Sequence, residues 1–233
     1  MPELDIVYLL KPDINDDPEE LRYSLRSIEK NFPHRKVWFI CGCPQGMKPD
    51  GYIKHIQGGP TKWDRIKSSM WKAIECPDIT EDFYLFNDDF FVMKPFKGEF
   101  INFIDGDLET RILELYKLNK WLAPYGRTLY KAQQELRSLG CSEWNFDVHL
   151  PMLVNKAKMT EAITKCSSPQ MRSLYGNISG CEFVQHKDVK VYDLDEVPPK
   201  TVDFLSTNEQ TFANGKVGEF IRNKFPKPSR FEI

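Results

Sequence analysis

The chain has 233 residues, 41% hydrophobic and 13% aromatic, enough to bury one good core and to form one α/β domain or a domain carrying an insertion. Lys and Arg total 32 against 34 Asp and Glu, which removes any global electrostatic case for a nucleic-acid or membrane partner and leaves phosphate binding to local groups. The N-terminal apolar run Ile6-Val7-Tyr8-Leu9-Leu10 is too short for a secretory core or a membrane span, so a cytoplasmic protein without a membrane span is expected. The six cysteines, lacking CxxC or zinc-ligand spacing, read as reduced thiols.

In chain order, three runs rich in β-formers predict buried parallel strands: Ile6 to Leu10, Val37 to Cys41 and Phe83 to Phe86. Between the first two, Asp17 is placed to cap a helix, with Pro18 at its first position and Glu20 where a capping box wants an acid. Leu21, Leu25 and Ile28 form its apolar stripe, and Asn31 with Pro33 ends it. A second helix is expected from about Thr61 to Ile74. The alternation argues for right-handed βαβ units and a mostly parallel sheet. The segments Leu108 to Lys120 and Tyr125 to Leu139 are charged and helix-periodic, which predicts a helical hairpin over 105–141 inserted into a single domain spanning 1–233. Beyond Trp144 short apolar and polar groups alternate, and the last thirty residues read as irregular structure around one short helix.

The strongest local signal is Asn87-Asp88-Asp89, framed by Phe83-Tyr84-Leu85-Phe86 and Phe90-Phe91. Two adjacent carboxylates between apolar strand residues are costly to desolvate without a cation, and Mg²⁺ or Mn²⁺ takes one or two carboxylates plus substrate phosphate oxygens. The competing reading is a solvated turn, where Asn-Asp-Asp is ordinary chemistry. Arg22 and Arg26, four apart, share a helix face and either point at phosphate or form a solvated basic face. If Trp144 to Leu150 is extended, Asn145, Asp147 and His149 lie on one face and Trp144, Phe146, Val148 and Leu150 on the other. That alternation delivers a carboxylate and an imidazole together, for acid–base work or, through His149, a third metal ligand; the alternative is a surface strand. Arg172 stands ahead of Tyr175-Gly176-Asn177, read as a tight loop able to approach a diphosphate. Asp188 and Lys190 are similar in kind and weaker.

Three blocks then resemble the Stealth family of sugar-phosphate transferases: Asp5-Ile6-Val7-Tyr8 with Glu20-Leu21-Arg22-Tyr23-Ser24-Leu25-Arg26-Ser27-Ile28-Glu29, Phe83 to Asp89, and Val148-His149-Leu150-Pro151-Met152. That family includes capsule-polymer synthases and the lysosomal N-acetylglucosamine-phosphotransferase, and its catalytic core is GT-A-like. The first block departs from the family at Leu9-Leu10-Lys11-Pro12-Asp13. The short length, Lys62-Trp63 and the C-terminal tail look more like small, often phage-encoded glycosyltransferases. The resemblance implies an α/β, GT-A-like (Rossmann-like) domain, with its mostly parallel sheet flanked by helices.

On that basis glycosyl transfer from a nucleotide-sugar, a UDP-sugar foremost, is placed first. Stealth-type sugar-1-phosphate transfer comes second, and a non-catalytic sugar-nucleotide or nucleic-acid binding module third. Lys11, Asp13, Arg22, Arg26, Lys62, Asn87 and Lys190 are expected at the nucleotide and diphosphate. Asp88, Asp89 and His149 are expected at Mn²⁺ or Mg²⁺, and Asp147, His149 and Arg172 at the reacting groups. The acceptor stays open among a modified DNA base, a surface glycan and a small molecule, met in the host cytoplasm if the gene is a phage's. Arg111, Lys117, Lys120, Arg127, Lys131 and Arg137 of the hairpin form either an acceptor surface or, with Glu109, Glu114 and Glu135, a solvated face.

Overall fold

The computed structural model describes residues 3–12, 14, 18–120 and 123–233. The first half of the chain forms β1 (Asp5–Leu9), α1 (Glu19–Asn31), β2 (Val37–Ile40), β3 (Gly51–Ile53), α2 (Lys62–Glu75), β4 (Asp82–Phe86) and β5 (Phe90–Val92). Next come β6 (Asn102–Ile104), α3 (Leu108–Lys117), α4 (Pro124–Ser138), β7 (Met152–Asn155), α5 (Lys156–Lys165) and α6 (Met171–Ser179). The C-terminal part holds β8 (Phe183–Gln185), β9 (Phe204–Ser206), α7 (Glu209–Asn214) and α8 (Lys216–Lys224).

Period-two alternation within β1 sets the two faces of the main sheet. Ile6 and Tyr8 face a cluster that includes Leu21, Leu25 and Ile28 of α1, while Val7 faces the opposite cluster with Met70 and Ala73 of α2 and Ala162 of α5. Helices therefore cover both sides, as a buried parallel sheet requires. The strand order is β3-β2-β1-β4-β7. Strands β1 to β4 run parallel and β7 pairs antiparallel to β4, with Leu85 opposite Met152. The protein is thus α/β with a mixed, mostly parallel central sheet. Because the chain passes from β1 to β2 on one side and β4 lies on the other, the sheet's order reverses at β1. The crevice beyond the carboxyl ends of β1 and β4 is the position where open α/β sheets bind ligands.

At the other end of β1, Asp5 is fully buried and receives two bonds from Arg35, at 2.8 and 2.6 Å, and one from the Trp38 indole at 3.1 Å. That carboxylate ties strands together away from the crevice. Among the described residues, strand β5 has β9 alone as a strand neighbour, in an antiparallel pair. Its other edge is met by α1: Ser24 Oγ donates to the Phe90 carbonyl at 2.6 Å, Val92 N–H donates to Ser27 Oγ at 3.0 Å, and Asn31 Nδ2 donates to the Val92 carbonyl at 2.7 Å. The polar residues of α1 at i, i+3 and i+7 thereby satisfy backbone groups that a bare edge would leave open.

Several expectations change. Pro18 occupies the cap position of α1 without a side-chain cap bond, and Asp17 lies outside the described residues. Helix α2 starts where expected: Thr61 and Asp64 form a reciprocal capping box. The segment 144–150 is not a strand; the strand falls just after it, at β7. Tyr175-Gly176-Asn177 is no loop but lies within α6, where Gly176 permits contact: a Cβ there would sit 2.4 Å from the Phe146 ring. The C-terminal region holds β9 and two helices, α7 and α8, which pack on Phe91 and Met93. Helices α3 and α4 fill the 105–141 segment, and their inner residues Leu108, Leu115, Leu129 and Leu136 join the same cluster as α5 and α6.

Candidate functional site

Asn87 follows β4, and a turn closed by Phe90 N–H to the Asn87 carbonyl, at 3.3 Å, puts Asp88 and Asp89 at the crevice before β5 begins. A cavity of about 790 Å³ opens there. Lys11 after β1 and Asn87, Asp88 and Asp89 after β4 line one part of it; Lys62, Trp63 and Arg65 of α2, Arg111 of α3 and Tyr125 of α4 line the rest. Asp147, His149, Arg172, Asp188 and Lys190 complete the wall.

The carboxylate pair is electrostatically loaded. Asp89 Oδ2 meets Lys190 Nζ at 2.7 Å, both side chains about 14% exposed, while Asp89 Oδ1 is buried and makes no hydrogen bond. Burial, then the neighbouring Asp89 charge, pushes the Asp88 carboxyl up to about 6. Behind them Glu20 of α1 accepts from Thr207 Oγ1 at 2.6 Å; burial, reinforced by the charges of Asp89 and Asp88, pushes it up to about 7. Burial works against the Lys190 ammonium, yet pairing with Asp89 holds its pKa above the ordinary lysine value. Arg172, 9% exposed, donates to the Leu150 carbonyl, stands 5.7 Å over the Phe90 ring and keeps a buried Nε without a hydrogen bond. Its burial lowers its pKa, against the charges of Asp147, Asp188 and Asp89. Unsatisfied buried polar atoms are rare, and here a carboxylate oxygen and a guanidinium nitrogen occur in groups lining one cavity.

Along the adjoining wall, His149 Nδ1 lies 2.7 Å from Asp188 Oδ2, and His149 N–H donates to Asp188 Oδ1 at 3.1 Å. Burial would raise the Asp188 carboxyl, but its bonds to His149 hold it below the usual range. An ionised carboxylate only accepts, so Nδ1 is the donor of this pair and Nε2 is the ring nitrogen left for another partner. Asp147 is engaged differently: Tyr125 donates to its Oδ2 at 2.7 Å, and the Tyr125 phenol's pKa is raised, by burial first and by Asp147 next. Helix α6 holds this irregular segment in place. Asn177 exchanges two 2.8 Å bonds with the Trp144 backbone, Phe146 N–H donates to Ser173 Oγ at 3.2 Å, and Arg172 takes the Leu150 carbonyl.

Of the residues singled out in the sequence, Lys11, Lys62, Asn87, Asp88, Asp89, Asp147, His149, Arg172 and Lys190 share this cavity. Asp13 lies outside the described residues. Arg22 and Arg26 do not line the cavity, which corrects their expected role at phosphate. Arg26 makes a two-pronged pair with Glu232 at 2.8 and 2.6 Å and donates to the Phe225 carbonyl, and Arg22 Nε lies 3.6 Å from the same Glu232. His149 is not grouped with Asp88 and Asp89 as a third ligand: among the described residues no three His, Cys, Asp or Glu side chains are grouped to hold a metal. Arg111, expected on an acceptor surface or a solvated face of the hairpin, lines the cavity; Glu20 and Tyr125 were missed as site residues, and Asp188 was undervalued. Their partners come from distant segments, so no local pattern marks them. No family model matches the chain, and no curated protein matches it. Among the described residues, no helix is long and apolar enough to cross a membrane.

Proposed function

We propose that this chain is a nucleotide-sugar-dependent glycosyltransferase of GT-A type, which moves a sugar from a UDP-sugar or similar donor to an acceptor hydroxyl. The observation that carries the reading is the Asp88–Asp89 pair at the carboxyl end of β4, with a buried, unbonded Asp89 oxygen and Lys190, Lys11 and Arg172 on the same cavity wall. A single carboxylate oxygen left open beside a second carboxylate fits a divalent cation that takes its remaining ligands from phosphate oxygens and water. Asp89, with Asp88, would hold Mn²⁺ or Mg²⁺, which supplies Lewis-acid stabilisation of the charge on a departing nucleoside diphosphate.

The chain's own groups supply the other parts. Lys190, Lys11 and Arg172 are fixed cations where diphosphate charge would build, and burial of Lys190 and Arg172 strengthens their effect relative to solvated cations. Lys62 and Trp63 at the start of α2 line the same cavity and suit the nucleoside. His149, held by Asp188, is the better proton acceptor for an attacking hydroxyl, because Asp147 already accepts the Tyr125 phenol. The fold alone does not choose a chemistry, so the reading stands on the site.

The test is turnover of a UDP-sugar panel with Mn²⁺, comparing wild type with Asp89→Asn, which keeps shape and removes charge. Loss of about 10²–10³ in donor turnover, with weakened Mn²⁺ binding, is expected from an electrostatic contribution of this kind. Unchanged turnover and metal affinity would sink the assignment. Release of nucleoside monophosphate in place of diphosphate would move the chemistry to sugar-1-phosphate transfer at the same residues.

A further inference from the structure

The hairpin formed by α3 and α4 has two jobs to explain. Its inner side builds the core and contributes Arg111, Leu115 and Tyr125 to the cavity wall. Its outer side is unusual for a solvated surface. On α3, Leu113 and Tyr116 are 53% and 60% exposed, and Leu118 just beyond is 62% exposed. On α4, Tyr130 is 54% exposed. Each helix shows the same outward spacing: Leu113, Tyr116 and Lys117 at i, i+3 and i+4, and Arg127, Tyr130 and Lys131 at i, i+3 and i+4. Single exposed apolar residues are normal, but large ones repeated among cations on one hairpin are not scattered.

The charges separate into two sets. Of the six Lys and Arg between 108 and 139, Arg111 pairs with Glu114 at 2.9 Å and Arg137 with Glu109 and Glu143 at 3.0 and 2.7 Å. The third acid, Glu135, is turned to the backbone of Ser167 and Ser168. Lys117, Lys120, Arg127 and Lys131 make no ion pair among the described residues, and all four are exposed. Glu109 and Glu114 are themselves outward but each is engaged by an arginine, so the cations of this surface without an ion pair among the described residues are Lys117, Lys120, Arg127 and Lys131.

We propose that the outer face of the α3–α4 hairpin docks on an anionic phospholipid surface, with Leu113, Leu118, Tyr116 and Tyr130 entering the headgroup boundary and Lys117, Lys120, Arg127 and Lys131 meeting lipid charge. Cations alone would suit nucleic acid equally. The aliphatic Leu113 and Leu118 gain nothing from a phosphate backbone and gain from acyl chains, and Tyr at the interface with flanking Lys is the usual composition of a surface-lying element. A neutral or slightly negative chain can behave this way, because attraction to an anionic leaflet is local and falls off within a Debye length. The inference goes beyond the transferase reading and does not depend on it.

The experiment is cosedimentation of the full chain with vesicles of phosphatidylcholine alone or with about one third phosphatidylglycerol, at about 0.1 M salt. Two variants are compared, Lys117→Glu/Lys120→Glu and Leu113→Ser/Leu118→Ser, with circular dichroism as a check that both keep the fold. Preferential binding to the anionic vesicles is expected, reduced at least about tenfold in each variant. The proposal is overturned if wild type does not sediment with anionic vesicles. It is equally overturned if the leucine variant binds them as well as wild type does, or if a DNA duplex is bound as tightly and only the lysine variant loses it.

Discussion

Glu20 reports on the electrostatics of the whole site, and Glu20→Gln isolates its contribution because the amide keeps an acceptor for Thr207 Oγ1, now at 2.6 Å. The Glu20 carboxyl is raised from 4.5 to about 7. About 2.5 units at about 1.4 kcal/mol each sets a ceiling of about 3.5 kcal/mol on the cost of ionising it in the fold. Asp88 and Asp89 carry part of that repulsion and water reaches the cavity, so about 1–2 kcal/mol is the expected share. The sign follows from the direction. A carboxyl whose folded pKa is raised contributes stability that is fully present below its unfolded value and is lost as pH rises through the folded value. Urea unfolding followed by circular dichroism, in chelator, should therefore give near parity between wild type and Glu20→Gln at about pH 4, below the unfolded value. At about pH 8 the variant should be more stable by about 1–2 kcal/mol, a shift of about 2–8 °C in Tm. Equal differences at both pH values, or a wild type that is the more stable at about pH 8, would refute the reasoning.

Arg26→Ala removes both prongs on Glu232 and leaves that partly buried carboxylate short of its partner, so stability should fall by about 2–3 kcal/mol while the KM for a nucleotide-sugar donor stays unchanged. Donor KM rising in step with the stability loss would return Arg26 to the site. For Gly176→Ala two effects compete. Helix propensity favours Ala by about 1 kcal/mol, but the new methyl would stand 2.4 Å from the Phe146 ring, and overpacking costs about 1–3 kcal/mol. A net loss in thermal stability is expected, with kcat falling more than KM because Phe146 is three residues before His149; a stabilised Gly176→Ala protein would show that the contact yields freely.

The parallel core was legible because each strand is an unbroken apolar run, and a buried parallel strand needs no partner in sequence to announce itself. Asp88 and Asp89 were legible for the related reason that charge against such a run is costly. Asn145, Asp147 and His149 line the cavity as the alternation predicted, but Val148, placed on the other face, lines it too, because the backbone there is irregular and held by α6 side chains. What the sequence hid were pairings across distance. Asp188 lies 39 residues from His149, and Glu232 lies 206 residues from Arg26. Spacing within a helix placed Arg22 and Arg26 side by side correctly, but nothing local disclosed that a carboxylate near the other end of the chain neutralises them. The short strands β3, β5, β6, β8 and β9 also escaped, since three residues carry too little periodicity to register.

The ladder from Ser24, Ser27 and Asn31 to β5 gives α1 the part of a ruler. Hydroxyl and carboxamide reach are short, so Phe90 and Val92 sit at fixed marks along the helix, and Asp89, bonded to the next residue, is metered by them. Sliding α1 by a single turn would carry the carboxylate pair out of line with Lys190 without altering any residue of the cavity itself. The Arg-Tyr-Ser-Leu-Arg-Ser-Ile string, the most distinctive stretch of the chain, is then a record of alignment.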